Sequence, residues 1–151
     1  MAVSAKNVLN TAPRTILLKG RGTRDERVAN AAINPGYLLN TRSDGKYEKH
    51  ASAGANCPRI FALENELFGL GIDDAYAAND LVQAEQCGPP QWVLAKLPAD
   101  ATAVVVGSLL QSNGDGTLTL KQGTNTALAM ALDAVDNSAA GTEAFIRVLV
   151  I

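Results

Sequence analysis

Gly36-Tyr37-Leu38-Leu39-Asn40, running on to Asp44-Gly45, decides how this chain is read, because it occurs twice. Gly107-Ser108-Leu109-Leu110-Gln111 runs on to Asp115-Gly116, so Gly, Leu, Leu, Asp and Gly recur at a constant offset of 71 residues. Each copy then reaches a similar apolar segment, Phe61-Ala62-Leu63-Glu64 and Met130-Ala131-Leu132-Asp133, at an offset of 69. A two-residue gap accounts for the change. Each unit reads as strand, tight Asp-Gly turn, strand, loop, strand, since such a turn needs the positive φ that Gly adopts without a Cβ penalty. Five matches in register favour an internal repeat over coincidence.

Working outward, Thr15–Lys19 reads as a strand closed by Gly20-Arg21-Gly22. Thr23-Arg24-Asp25-Glu26 has the form of a capping box, in which Thr and Glu satisfy each other's backbone donors. It is compatible with a helical turn or two through Val28 and Ala31, or with an irregular strand. The first unit, residues 35–64, supplies strands over 37–41, 46–51 and 59–63. The stretch 73–80 is expected to hold one short helical turn. Strands follow over 81–86 and 91–97, with Trp92 as the large core anchor. The valines at 104–106 predict a buried strand. The second unit, residues 106–133, supplies strands over 108–111, 117–121 and 127–133. Thr126–Leu132 has helical composition, yet its repeat partner follows a proline and carries Ile and Phe, so a strand is predicted. Phe145–Ile151 closes the chain as an apolar, interior strand. About ten short strands and hardly any helix define an all-β barrel or sandwich built from two related units.

Length and composition suit one domain over residues 14–151, preceded by an N-terminal arm, residues 1–13. Of 151 residues, 47% are apolar and 19% charged, which is a globular and not a disordered balance. No apolar run is long enough for a membrane helix and no signal pattern opens the chain, so a protein made in the cytoplasm, without membrane contact, is expected. Cys57 and Cys87 form neither a disulfide framework nor a zinc pattern. Residues 1–50 hold nine Lys/Arg against four Asp/Glu, and the remainder four against eleven. Without interleaved aromatics that basic segment does not suit nucleic acid. A solvated face, or an acidic protein surface as partner, fits it better.

Chemistry is sparse. His50, the one histidine, lies among Lys46, Glu48 and Lys49, and is expected on a solvated face and not in a catalytic triad. Gly69-Leu70-Gly71 lacks the third Gly of a dinucleotide fingerprint. Asn113-Gly114-Asp115-Gly116 lacks the Glu of a calcium loop and reads as a hairpin turn. Asp73/Asp74 and Glu64/Glu66 read as surface charge. No catalytic residue, cofactor or metal site is predicted.

These residues resemble a family. Pro35-Gly36 with Leu38-Leu39, Asp44-Gly45, Phe61-Ala62-Leu63-Glu64, Gly69-Leu70-Gly71-Ile72 and Asp74-Ala75-Tyr76 are similar to the head-decoration (capsid cement) proteins of tailed bacteriophages. So are Val105-Val106-Gly107, Asn113–Gly116, Ala131–Asp136, the closing Ile146–Ile151, and the opening Ser4-Ala5-Lys6-Asn7 with Pro13-Arg14-Thr15. The resemblance implies a β-tulip-like body on the outer surface of the expanded capsid, stabilising it, as a homo-oligomer (a trimer, in some cases a dimer). It also implies that the arm pairs with strands of the major capsid protein, through Ser4, Lys6, Val8, Leu9, Pro13 and Arg14. Other readings are a tail-tube or head-completion protein and, with only seven aromatics to offer, a carbohydrate- or small-ligand-binding barrel. An enzyme has the least support.

Overall fold

Backbone pairing sorts eleven strands into two antiparallel sheets in a computed structural model that describes residues 13–151. The strands are β1 (Leu17–Lys19), β2 (Thr23–Val28), β3 (Leu38–Thr41), β4 (Tyr47–Lys49), β5 (Ile60–Ala62), β6 (Leu81–Gln86), β7 (Trp92–Leu97), β8 (Leu109–Ser112), β9 (Leu118–Leu120), β10 (Ala129–Ala131) and β11 (Ala144–Val150). One sheet runs β2-β6-β5-β3-β4 and the other β1-β7-β11-β10-β8-β9. A single 3-10 turn, Glu66–Phe68, is the one helical element among the described residues. The architecture is all-β and sandwich-like.

Set β1 aside and the two sheets have the same strand order. Their registers also correspond. Leu38↔Phe61 and Leu39↔Ile60 in the first sheet become Leu109↔Met130 and Leu110↔Ala129 in the second. Thr41↔Tyr47 becomes Ser112↔Leu118. The likeness reaches past the stretch that betrays it in sequence. The β2–β6 ladder matches β7–β11, and the isolated bridge Ile33↔Tyr76 matches Val104↔Val135. The turn glycines match as well, Gly36 and Gly107 having φ of 88° and 87°, and Gly45 and Gly116 of 84° and 89°. The chain is thus a tandem pair of five-strand units, with β1 added to the second.

The units are not packed alike. The first sheet curls until Ala29 bridges Tyr47, with the Asn30 amide donating to the Tyr47 carbonyl at 2.9 Å. Its inward side chains, Leu39, Ala62, Val82 and Ala84, close a small core with Ile33, Tyr37 and Tyr76. Leu38 and Phe61, one residue out of phase, point the other way. They join Val93, Ala95, Leu110, Leu118 and Val148 in the core of the second sheet. β1 straps the units together. The Ile16 amide donates to Glu64 Oε2 at 3.0 Å, Leu94 donates to the Ile16 carbonyl at 2.8 Å, and Gly22 donates to Glu85 Oε1.

Several expectations are corrected. Of the two readings open for Thr23–Glu26, the strand holds and the helix cap does not: it starts β2, because six consecutive cross-strand pairs with β6 outweigh one local cap. Trp92 is no core anchor. The inner face of β7 is filled by Val93, Ala95 and Leu97, so Trp92 lies half-buried on the outer face under the Lys19 ammonium, 4.0 Å from the ring centroid. Only Val104 of the valine run is buried. Val105 and Val106 are 64% and 65% exposed because they enter the turn completed by Gly107. The helical turn falls at Glu66–Phe68 and not at 73–80, where Tyr76 bridges to Ile33. The helix-like Ala129–Ala131 is a strand held on both sides by β8 and β11, and β11 is interior, between β7 and β10.

Gly116 tests how closely the units fit. It donates to the His50 carbonyl and accepts from the Leu38 amide, and a Cβ there would meet the Tyr37 ring at 2.9 Å. At Gly45 a Cβ would meet only an Arg27 nitrogen at 3.9 Å. Both substitutions to Ala carry the left-handed φ cost of about 1–2 kcal/mol. Thermal melts are expected to show Gly116→Ala as clearly the more destabilising; equal losses would mean that the Tyr37 contact is slack.

Candidate interaction surface

No group of three or more His, Cys, Asp and Glu side chains among the described residues is placed to hold a metal. The groups singled out in the sequence are occupied structurally. His50 is not solvated. It is 5% exposed, with Nδ1 2.6 Å from Ser112 Oγ, because the second unit lies over the end of β4. Burial lowers its pKa from the ordinary 6.5, so it rests neutral. Glu64 is likewise buried and not surface charge, its carboxylate accepting the Ile16 amide. Asp115 accepts from the Thr117 amide at 3.0 Å, as a hairpin turn requires. Cys57 and Cys87 are buried and unpaired, and burial pushes the Cys87 thiol up to about 12. Such thiols are unreactive.

What remains on offer is surface. Of the residues assigned to the arm, Ser4, Lys6, Val8 and Leu9 lie outside the described residues. Pro13 and Arg14 stand at its base. Pro13 lines a cleft of about 420 Å³ with Ile72, Leu94, Phe145 and the Arg147–Asp133 ion pair. Pro13 and Arg14 together border Gly71, Ile72, Asp73 and Asp74. Asp73 and Asp74 thus lie beside Arg14, at the base of the N-terminal arm. The same loop carries the most exposed large apolar side chains of the described residues, Leu67 at 76% and Phe68 at 79%, with Leu70 at 41%. Gly69, at φ 69°, ends the 3-10 turn that presents them. The Gly-interrupted apolar run at 67–72 was the available sequence signal: too short and broken for a strand, yet too apolar for an ordinary loop.

Two curled antiparallel sheets related by an internal repeat, joined by a strap and bearing an exposed apolar loop, define the class. No known protein-family model matches the sequence, and no curated protein matches it either. Among solved structures, the fold is similar to the head fiber gp8.5 N base of bacteriophage phi29, with a TM-score of 0.55 over 85% of this chain and 93% of that one. Sequence identity is 14%, so the likeness is one of fold.

The burial of His50 has a pH consequence. A depressed folded-state pKa means that the unfolded chain takes up the proton first, so this contribution is present above pH 6.5 and is lost as pH falls below it. Melting temperature is expected to drop on acidification below that value, and His50→Gln to flatten the dependence in that window. An unchanged profile in the variant would assign the pH effect to other groups.

Proposed function

We propose that this protein is a structural component of a tailed-phage virion that binds the outer surface of the expanded capsid and stabilises it, without enzymatic activity. The observation that carries this reading is the fold likeness to a phage head protein, over 85% of this chain and 93% of that one. The surface is consistent with it. The exposed apolar run Leu67-Phe68-Gly69-Leu70 leads directly into Gly71–Asp74, which borders Pro13 and Arg14 at the base of the arm. Residues 1–13 act as the arm, adding to major capsid protein strands by main-chain pairing. The protein is a small homo-oligomer, a trimer in preference to a dimer. Several arms on one oligomer raise avidity on a lattice by roughly 10²–10⁴ even where each binds weakly. Binding the intact shell and not its broken form stabilises the shell by mass action, with no chemistry needed.

Purified protein titrated onto expanded, undecorated heads of its own virus is expected to co-sediment saturably, at a fixed ratio to capsid subunits. No binding by folded protein would move the assignment to a tail or head-completion component. Deleting residues 1–13 is expected to weaken head binding at least tenfold while leaving the circular dichroism spectrum intact; full-strength binding would remove the arm from the mechanism.

A further inference from the structure

Alternate residues of a strand face opposite sides of its sheet. On the outer face of the second sheet this aligns one residue from each of five adjacent strands in a single row. The row is Lys19, Trp92, Leu149, Met130 and Leu109, linked by the pairs Lys19↔Trp92, Trp92↔Leu149, Leu149↔Met130 and Met130↔Leu109. Trp92, Leu149 and Met130 are half-buried, and Leu109 is 43% exposed.

The internal repeat supplies this row with a counterpart. In the first sheet the equivalent positions are Arg24, Glu85, Phe61 and Leu38, linked by Arg24↔Glu85, Glu85↔Phe61 and Phe61↔Leu38. There Leu38 and Phe61 are wholly buried, and Glu85 is 2% exposed. The second unit covers them: the two apolar side chains enter its core, and Gln91 donates to the Glu85 carboxylate at 2.6 Å. The covered row therefore contains a buried carboxylate, Glu85, which pairs with Arg24 at the row's exposed end. The solvent-facing row carries Trp, Leu, Met and Leu in the matching places, with a cation only at its end. That is the reverse of what an isolated unit in water would select.

We propose that this outer face of the second unit, centred on Trp92, Leu149, Met130 and Leu109, is the surface on which a second copy of the chain packs. The first unit is the argument for a copy over an unrelated protein, since its equivalent face is already buried by another unit of the same fold. The uncharged centre asks for an apolar surface on that copy, as the core of the second unit offers Leu38 and Phe61. The inference deepens the proposed self-association by naming its surface, and it does not depend on the capsid.

The test uses full-length protein without capsids. Trp92 is the one tryptophan in the chain, so its fluorescence reports on this face alone. Sedimentation velocity and iodide quenching, followed over a wide dilution series, are expected to show an oligomer in which Trp92 is shielded. Shielding should be lost as the oligomer dissociates. Leu109→Asp and Met130→Glu are expected to weaken association by about tenfold or more each. Leu81→Asp, at an exposed apolar site on the first sheet, should not. A monomer at every concentration would overturn the proposal. So would an oligomer whose Trp92 is as quenchable as in the monomer, a result that needs no variant to fold. Saturable head binding by a strict monomer would sink this inference and leave the capsid reading standing; a Trp92-shielded oligomer that ignores heads would do the opposite.

Discussion

The structure depends on Leu38 and Phe61 leaving their own sheet. Both belong to strands of the first unit, yet both are wholly buried in the core of the second. A five-strand unit of some sixty residues has a small interior of its own, and small domains are marginal because so little of their surface is removed from water. Sharing a core relieves this. Each of the two side chains contributes about 1.5–3 kcal/mol by burial, and truncating Phe61 would leave a cavity felt on both sides of the junction. The first unit closes on itself through Ala29 and Tyr47, while the second is completed by its neighbour.

The polar contacts at the junction follow from that packing. Pressing Leu38 and Phe61 into the second core also brings Glu85 out of water, and a buried carboxylate must be fully partnered. Gly22, Gln91 and Arg24 supply the partners. Glu64 is treated likewise by the Ile16 amide. Two of these donors, Ile16 and Gly22, flank β1, so the acids that the junction buries also fix the strap that crosses it. His50 and Ser112 meet for the same reason, and the imidazole stays neutral. The residues that looked chemically capable are thus used to hold two repeats together. The surface left for function is what the junction does not consume: the arm base, the Leu67–Leu70 loop and the outer face of the second sheet.

Local signals in the chain carried much of this. Asp-Gly turns, short apolar runs and the offset of 71 residues indicate a repeated all-β design, because positive φ and period-two burial are demands a residue meets where it stands. The strand at Ala129–Ala131 was legible only through its repeat partner, since its own composition favours helix. The capping box at Thr23–Glu26 left helix and strand both open, because a local hydrogen bond was set against a six-residue ladder whose partner lies about sixty residues away. The outer strands of the repeat were silent in sequence. Arg24 and Glu85 correspond to Trp92 and Leu149, so equivalent backbone positions carry unlike chemistry.

By itself, then, the sequence determined the class of fold, the turns, the repeat at its centre and the basic character of the N-terminal segment, all of which follow from local φ preference, alternation and composition. Tertiary structure decided which face of each strand is inside. Leu38 and Leu109 occupy the same place in the repeat and the same kind of local sequence, yet one is wholly buried and the other 43% exposed. Burial depends on what another part of the chain brings against a residue, and here the other unit lies over Leu38 but not over Leu109.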